Sequence, residues 1–105
     1  MAFNVEFSLR ARRDVDEIAA YIAADSRVRS TRWRRQLHTK LRSLSTMPMA
    51  CGLAPEDDVS GHEIRQLLFG KYRVLFTIEE TKVFILTVRH GARRFLTADE
   101  VTDIE

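Results

Sequence analysis

Cysteine is nearly absent. The chain carries one, Cys51, so it has no partner for an intrachain disulfide and no cysteine cluster to hold a metal. Its three histidines, His38, His62 and His90, stand too far apart to show metal-ligand spacing. No stretch approaches the about 18 consecutive apolar residues of a membrane span, and the N-terminus has no charged-then-apolar leader. No metal, no cofactor and no membrane partner are expected, and the expected location is the cytoplasm. Internal repeats and low-complexity segments are lacking as well. Basic residues vanish after Arg94: Phe95–Glu105 holds four acids and no Lys or Arg.

What is present fits one soluble domain. There are 105 residues, 45% hydrophobic and 30% charged, a size at which a single core forms with modest stability. The net charge is +2, and its distribution says more than its sum. Ten of the 17 basic residues lie in Arg10–Arg42 and seven in Arg65–Arg94, and all but Lys40, Lys71 and Lys82 are arginine. Arginine grips phosphate and carboxylate in a two-pronged geometry that lysine does not copy. An anionic partner, nucleic acid or acidic protein, is one reading; a solvated arginine-rich surface is the other.

The hydrophobic period divides the chain. Phe3, Val5 and Phe7 alternate with polar neighbours, a short strand with one buried face. Ser8 offers an N-cap. Ala11, Val15, Ile18, Ala19 and Ile22 then recur at helical spacing until Asp25-Ser26 stops the helix. Ser26 or Ser30 caps a second helix with the stripe Trp33, Leu37, Leu41 and Leu44, ended by Pro48. Two such helices on a short link form an αα-hairpin. Met47–Gly61, with two prolines and the acids Glu56, Asp57 and Asp58, reads as a loop. Strands follow at about His62–Phe69, Tyr72–Glu79 and Val83–His90, turning at Gly70-Lys71 and Glu80-Thr81. Thr97 and Glu100 form a capping box that opens a short last helix. The class is therefore α+β over one domain, 1–105: an N-terminal strand, an αα-hairpin, and an antiparallel β-meander with the helices packed on one sheet face. The other sheet face is expected to stay bare.

Alternation on the middle strand puts Tyr72, Val74, Phe76 and Ile78 on the core side and Arg73, Leu75 and Thr77 on the other. A three-residue turn Phe69-Gly70-Lys71, preferred because Gly suits a left-handed position, places Arg65 beside Arg73; a two-residue turn separates them. A three-residue second turn, Glu80-Thr81-Lys82, makes Phe84, Leu86 and Val88 core and sets Arg89 beside Arg73; a two-residue one substitutes His90. The first alternative buries the better apolar set. A gathering of cations on a bare face repels itself unless an anion is expected there. The alternative is that Arg65 and Arg73 pair with Glu63, Glu79 or the acidic C-terminal segment.

Four stretches together resemble the RelE/ParE superfamily, the toxin half of bacterial type II toxin–antitoxin modules: FSLRARRDVDEIAAYIA (7–23), the Trp33–Leu44 helix ending near a proline, EIRQLLFGKYRVLFTI (63–78) and VFILTVRHGARR (83–94). The likeness spans nearly the whole chain. It implies one of two activities on one fold. RelE-like members cleave mRNA in the ribosomal A site, and ParE-like members inhibit DNA gyrase. The mRNA interferase is placed first and gyrase inhibition second. The implied partners are a cognate antitoxin, the ribosome and mRNA or else DNA gyrase, and operator DNA only as the toxin–antitoxin complex. In the cleaving reading the resemblance makes Arg65, Arg73, His90 and Arg93 the catalytic set and Lys71, Arg89 and Arg94 the RNA-holding cations. Arg73 matches the arginine that stabilises the phosphate in the transition state, and His90, an imidazole able to give or take a proton, is the acid or base candidate. Phe95 stands nearest the place of the family's C-terminal tyrosine. The long αα-hairpin is ParE-like in proportion. His38, His62, Cys51 and Trp33 are read as structural.

Overall fold

The computed structural model describes residues 2–59 and 63–104; His62, read above as structural and as the start of a strand, lies outside them. β1 (Asn4–Phe7) leads into α1 (Leu9–Asp25) and α2 (Arg27–Leu41), then three short 3-10 turns at Arg42–Ser45, Pro48–Ala50 and Pro55–Val59. β2 (Arg65–Phe69), β3 (Tyr72–Glu79), β4 (Lys82–His90) and α3 (Ala98–Ile104) complete the order.

The capping residues act where the sequence places them. The Ser8 hydroxyl accepts from the Ala11 amide at 2.9 Å, and that of Ser26 from the Arg29 amide at 3.2 Å. Ser30, the other capping candidate, is buried inside α2 and donates to the Ala19 carbonyl at 2.7 Å. A serine facing an alanine lets the two helices approach closely at that crossing. Ser8 is doubly employed, because its hydroxyl also donates to the Leu86 carbonyl at 2.7 Å. Ser8→Ala therefore loses a helix cap and strands a buried carbonyl. It is expected to lower unfolding free energy by about 1–2 kcal/mol in urea titration, against about 1 kcal/mol for a cap alone.

The sheet order is β1-β4-β3-β2. β2, β3 and β4 form the antiparallel meander, and β1 adds parallel to β4, pairing Val5 with Val83. The helices pack on one face. There Ala11, Leu37, Leu41, Leu44, Val74, Phe76, Val83, Ile85 and Val88 form the main core. Trp33 stands edge-on to Tyr72, centroids 5.5 Å apart.

The opposite face is not bare, contrary to the expectation. Leu75 and Leu86 point to it, and burying them requires a cover. The chain supplies one from two places. Segment 52–54 folds along β2, with the Ala54 amide bonded to the Ile64 carbonyl at 2.8 Å and the Gln66 amide to that of Gly52 at 3.0 Å. The C-terminal segment lays Leu96 and Val101 over the sheet, closing a second core of Ala54, Ile64, Leu75, Leu86, Leu96 and Val101. α3 is held by the foreseen capping box. The Glu100 carboxylate accepts from the Thr97 amide at 3.1 Å, and the Thr97 hydroxyl from the Glu100 amide at 3.4 Å.

Both hairpins turn in two residues. Phe69 faces Tyr72 across Gly70-Lys71, not Leu68 as expected. Gly70 does take a left-handed conformation, φ 55°, and a two-residue hairpin needs a positive φ there to match the strand twist. At the second turn Glu79 faces Lys82, and Glu80 takes φ 54°, a strained value for a non-glycine residue. That turn by itself would set Val88 opposite Arg73 and leave His90 on the same face. A bulge between Leu75 and Phe76 shifts β4 by one residue, and Arg89 returns to face Arg73. Arg89 thus arrives where expected, by a different route.

Candidate functional site: an arginine pair under the C-terminal segment

β3 and β4 carry Arg73 and Arg89 side by side onto the face covered by the C-terminal segment. Both are buried, Arg73 at 6% and Arg89 at 2% relative exposure. Two guanidinium groups in a dry place need a counter-charge. Glu56, on the Pro55–Val59 turn, provides one. Arg73 grips it with both terminal nitrogens, at 2.9 and 2.8 Å, and touches Gln66 Oε1 at 3.1 Å. The Leu96 amide donates to the same carboxylate at 3.2 Å, and the Phe95 ring lies 5.4 Å from the Arg73 guanidinium carbon.

Burial would push the Glu56 carboxyl up. The bonds from Arg73 and Leu96 outweigh it and hold the group below the ordinary carboxylate range. Arg89 fares differently. Its Nη2 donates to the Arg94 carbonyl at 2.8 Å, while Nε and Nη1 find no partner among the described residues. Burial, then the like charges of Arg93 and Arg73, press its pKa below the usual arginine value.

The other proposed residues are dispersed. With a two-residue first turn, Arg65 faces Phe76 and so lies on the helix side of the sheet, apart from Arg73. Its guanidinium donates to the Cys51 carbonyl and to Glu63 at 2.7 Å. The expected neighbourhood of Arg65 and Arg73 is therefore corrected. The pairing of Arg65 with Glu63 is the carboxylate alternative stated for it above. The neighbouring Cys51 thiol is raised by burial, against the opposing pull of Arg65 and Lys40.

His90 faces Tyr72 in the register and stands edge-on to its ring, centroids 5.6 Å apart. It is exposed, and its Nδ1 accepts from the Ala92 amide at 2.9 Å. Together with Arg93, Tyr72, Tyr21 and Glu17 it borders an open groove of about 330 Å³ between α1 and the end of β4. Lys71 is exposed in the first turn. Arg94 is exposed and clasps Glu100 at 2.6 and 3.2 Å. That bond, with the Thr97 amide, draws the Glu100 carboxyl down to about 2 and pushes Arg94 up.

Two residues central to this site went unforeseen. Glu56 was read as part of a loop, and its pairing with Arg73 spans 17 positions of sequence. The available signal was an acidic run just after Pro55, the only carboxylates between the helical hairpin and Glu63. Asp14 is the second. It lies buried on α1 and accepts from the Thr87 hydroxyl and from the Val88 amide, the latter at 3.0 Å, pinning α1 to β4 just past the bulge. An acid on the inner face of an amphipathic helix was its signal. Among the described residues, no group of three His, Cys, Asp or Glu side chains is placed to hold a metal ion, and no helix is long and apolar enough to cross a membrane.

None of the curated proteins compared with the chain matches it. Solved structures do. A chain of the chromosomal ParDE toxin–antitoxin system from P. aeruginosa superposes with a TM-score of 0.69 at 15% identity, covering 85% of this chain and 96% of that one; at that identity the likeness speaks for the fold. A chain of the RelBE2 toxin–antitoxin complex from Mycobacterium tuberculosis superposes with a TM-score of 0.58 at 26% identity, covering 86% and 99%. The sequence model described as the ParE toxin of the type II toxin–antitoxin system parDE matches residues 5–95. That match takes in the helical hairpin, the meander and the paired arginines, and the chain therefore belongs to the ParE toxin family of type II toxin–antitoxin systems.

Proposed function

We propose that this toxin acts by binding its target, with DNA gyrase as that target, and that a cognate antitoxin neutralises it. The observation that carries the reading is the state of Arg73. Phosphodiester cleavage by 2′-hydroxyl attack needs a guanidinium aimed at the phosphate and a proton-transferring group within reach. Arg73 is instead buried and committed to Glu56 at 2.8 and 2.9 Å beneath Phe95 and Leu96. Arg65 serves the opposite face. This reverses the order of the two activities weighed from the sequence, where mRNA cleavage stood first.

Ribosome-dependent cleavage remains the second reading, and one observation favours it. His90 and Arg93 are exposed beside Tyr72 at the end of β4, a proton-transfer group next to a cation. In that reading Lys71, Arg89 and Arg94 hold the RNA and the 94–97 segment lifts from Arg73.

The two are separated by one set of strains and two assays. Cells arrested by the toxin are examined by primer extension on mRNA, and purified toxin is added to a gyrase supercoiling reaction. The binding reading expects supercoiling to be inhibited, no new mRNA ends, and arrest that persists in His90→Ala/Arg93→Ala. New mRNA ends that vanish in that variant, with supercoiling untouched, would transfer the protein to the second reading.

A further inference from the structure

α2 lacks acidic residues, and so does all of Ser26–Pro55. That span carries Arg27, Arg29, Arg32, Arg34, Arg35, Lys40 and Arg42. Two of these are answered within the hairpin: Arg29 pairs with Asp25 and Arg34 with Asp16, each at 2.9 Å. Arg27, Arg32, Arg35, Lys40 and Arg42 make no ion pair among the described residues, and all are exposed.

Their placement on the helix is ordered. Leu37, Leu41 and Ser30 mark its buried side. At about 100° per residue, Arg32, Arg35 and Arg42 fall within an arc of about 80° centred opposite Leu37. From Arg32 to Arg42, the residue just past α2, they run for about 15 Å, and Arg27 stands at the helix start off that arc. The stripe opposes local stability. Arg27 and Arg29 sit in the first turn, where the helix dipole favours acids, and no acid is there. Like charges along one face repel as well. A chain that needed only a solvated face would intersperse carboxylates, as α1 does with Asp16 and Glu17.

We propose that the outer face of α2 is a docking surface for the phosphate backbone of duplex DNA, independent of whichever target the toxin arrests. Arginine density without opposite charge complements a backbone that presents about one negative charge per 1.7 Å of axis. Cations along one side of a rigid helix can follow the backbone of a duplex. A protein partner would ask for a large apolar or aromatic anchor among the arginines. The big exposed apolar side chains, Tyr21, Leu9, Met47, Met49, Leu53, Leu68 and Phe95, all lie off α2, and only Val28 shares the face. The contact is of the sequence-independent kind.

The test uses the full chain and a fluorescent 20-base-pair duplex of arbitrary sequence. Binding is followed by anisotropy from low to moderate salt. The wild-type chain is expected to bind, with log affinity falling as log salt rises. Arg32→Gln/Arg35→Gln/Arg42→Gln should weaken binding at least tenfold at low salt and reduce the slope by about 2–3, near 0.9 per phosphate contact. A second triple variant, Arg12→Gln/Arg13→Gln/Lys82→Gln, removes the same charge elsewhere and should bind like wild type. Thermal melting confirms that each variant is folded. No binding by the wild-type chain, or an equal loss in both variants, overturns the proposal. So does displacement of the duplex by polyglutamate of equal charge, which would assign the stripe to acidic protein, or tenfold tighter binding to duplex RNA.

Discussion

Glu56→Ala is expected to destabilise the protein by about 3–5 kcal/mol, the cost of leaving a buried guanidinium without its counter-charge. The carboxylate is 1% exposed and receives both terminal nitrogens of Arg73 and the Leu96 amide. Its removal leaves Arg73 and Arg89 as two buried cations with no acid between them, so the loss is more than one hydrogen bond. Urea unfolding of the variant measures it, and a loss below about 1 kcal/mol would refute the account. Replacing the pair together, as Glu56→Leu/Arg73→Met, should recover most of the stability, because apolar groups of similar shape need no counter-charge.

The same pair sets an acid limit. The folded-state pKa of Glu56 is depressed. Its contribution is therefore complete above the unfolded carboxylate value of about 4.3, and it is lost as pH falls through the lower folded value. Wild-type stability should decline on acidification below about pH 5, and that decline should be shallower in Glu56→Gln, which has no proton to take up at this site.

Asp14→Ala should be the other large loss, about 2–4 kcal/mol. The carboxylate fixes α1 to β4, accepting from Thr87 and Val88 in a buried place. Alanine leaves a hydroxyl and an amide there unsatisfied. Asn should cost less, since its amide oxygen can still accept from one of them. Amide hydrogen exchange separates this from a general loosening: the Val88 amide should exchange faster in Asp14→Ala than global destabilisation accounts for. Unchanged relative protection of Val88 would mean that the contact does not anchor the helix.

These residues also mark how far the sequence could be read. The helix starts were legible at Ser8 and Thr97, and for the second helix down to the choice of Ser26 or Ser30, because capping is a matter of adjacent residues. So were the faces of β3, because alternation has only two phases. The register of the strands was not. A turn of two residues instead of three moves Arg65 across the sheet, and the bulge opposite Leu75 and Phe76, which restores Arg89, leaves no compositional sign. The covering of the second face was half-legible. Leu75, Leu86, Leu96 and Val101 were apolar residues in need of burial, but nothing local said that they meet one another.

The order of elements, the helical hairpin, the inner face of β3 and the family likeness were fixed by the amino-acid sequence alone, since each rests on periodicity and caps within a few residues. The tertiary structure alone decided that Arg73 meets Glu56, that Arg89 lies beneath the C-terminal segment and that Arg65 looks the other way. Those outcomes depend on contacts between distant segments, where a shift of one residue exchanges a side chain between the two faces of a sheet.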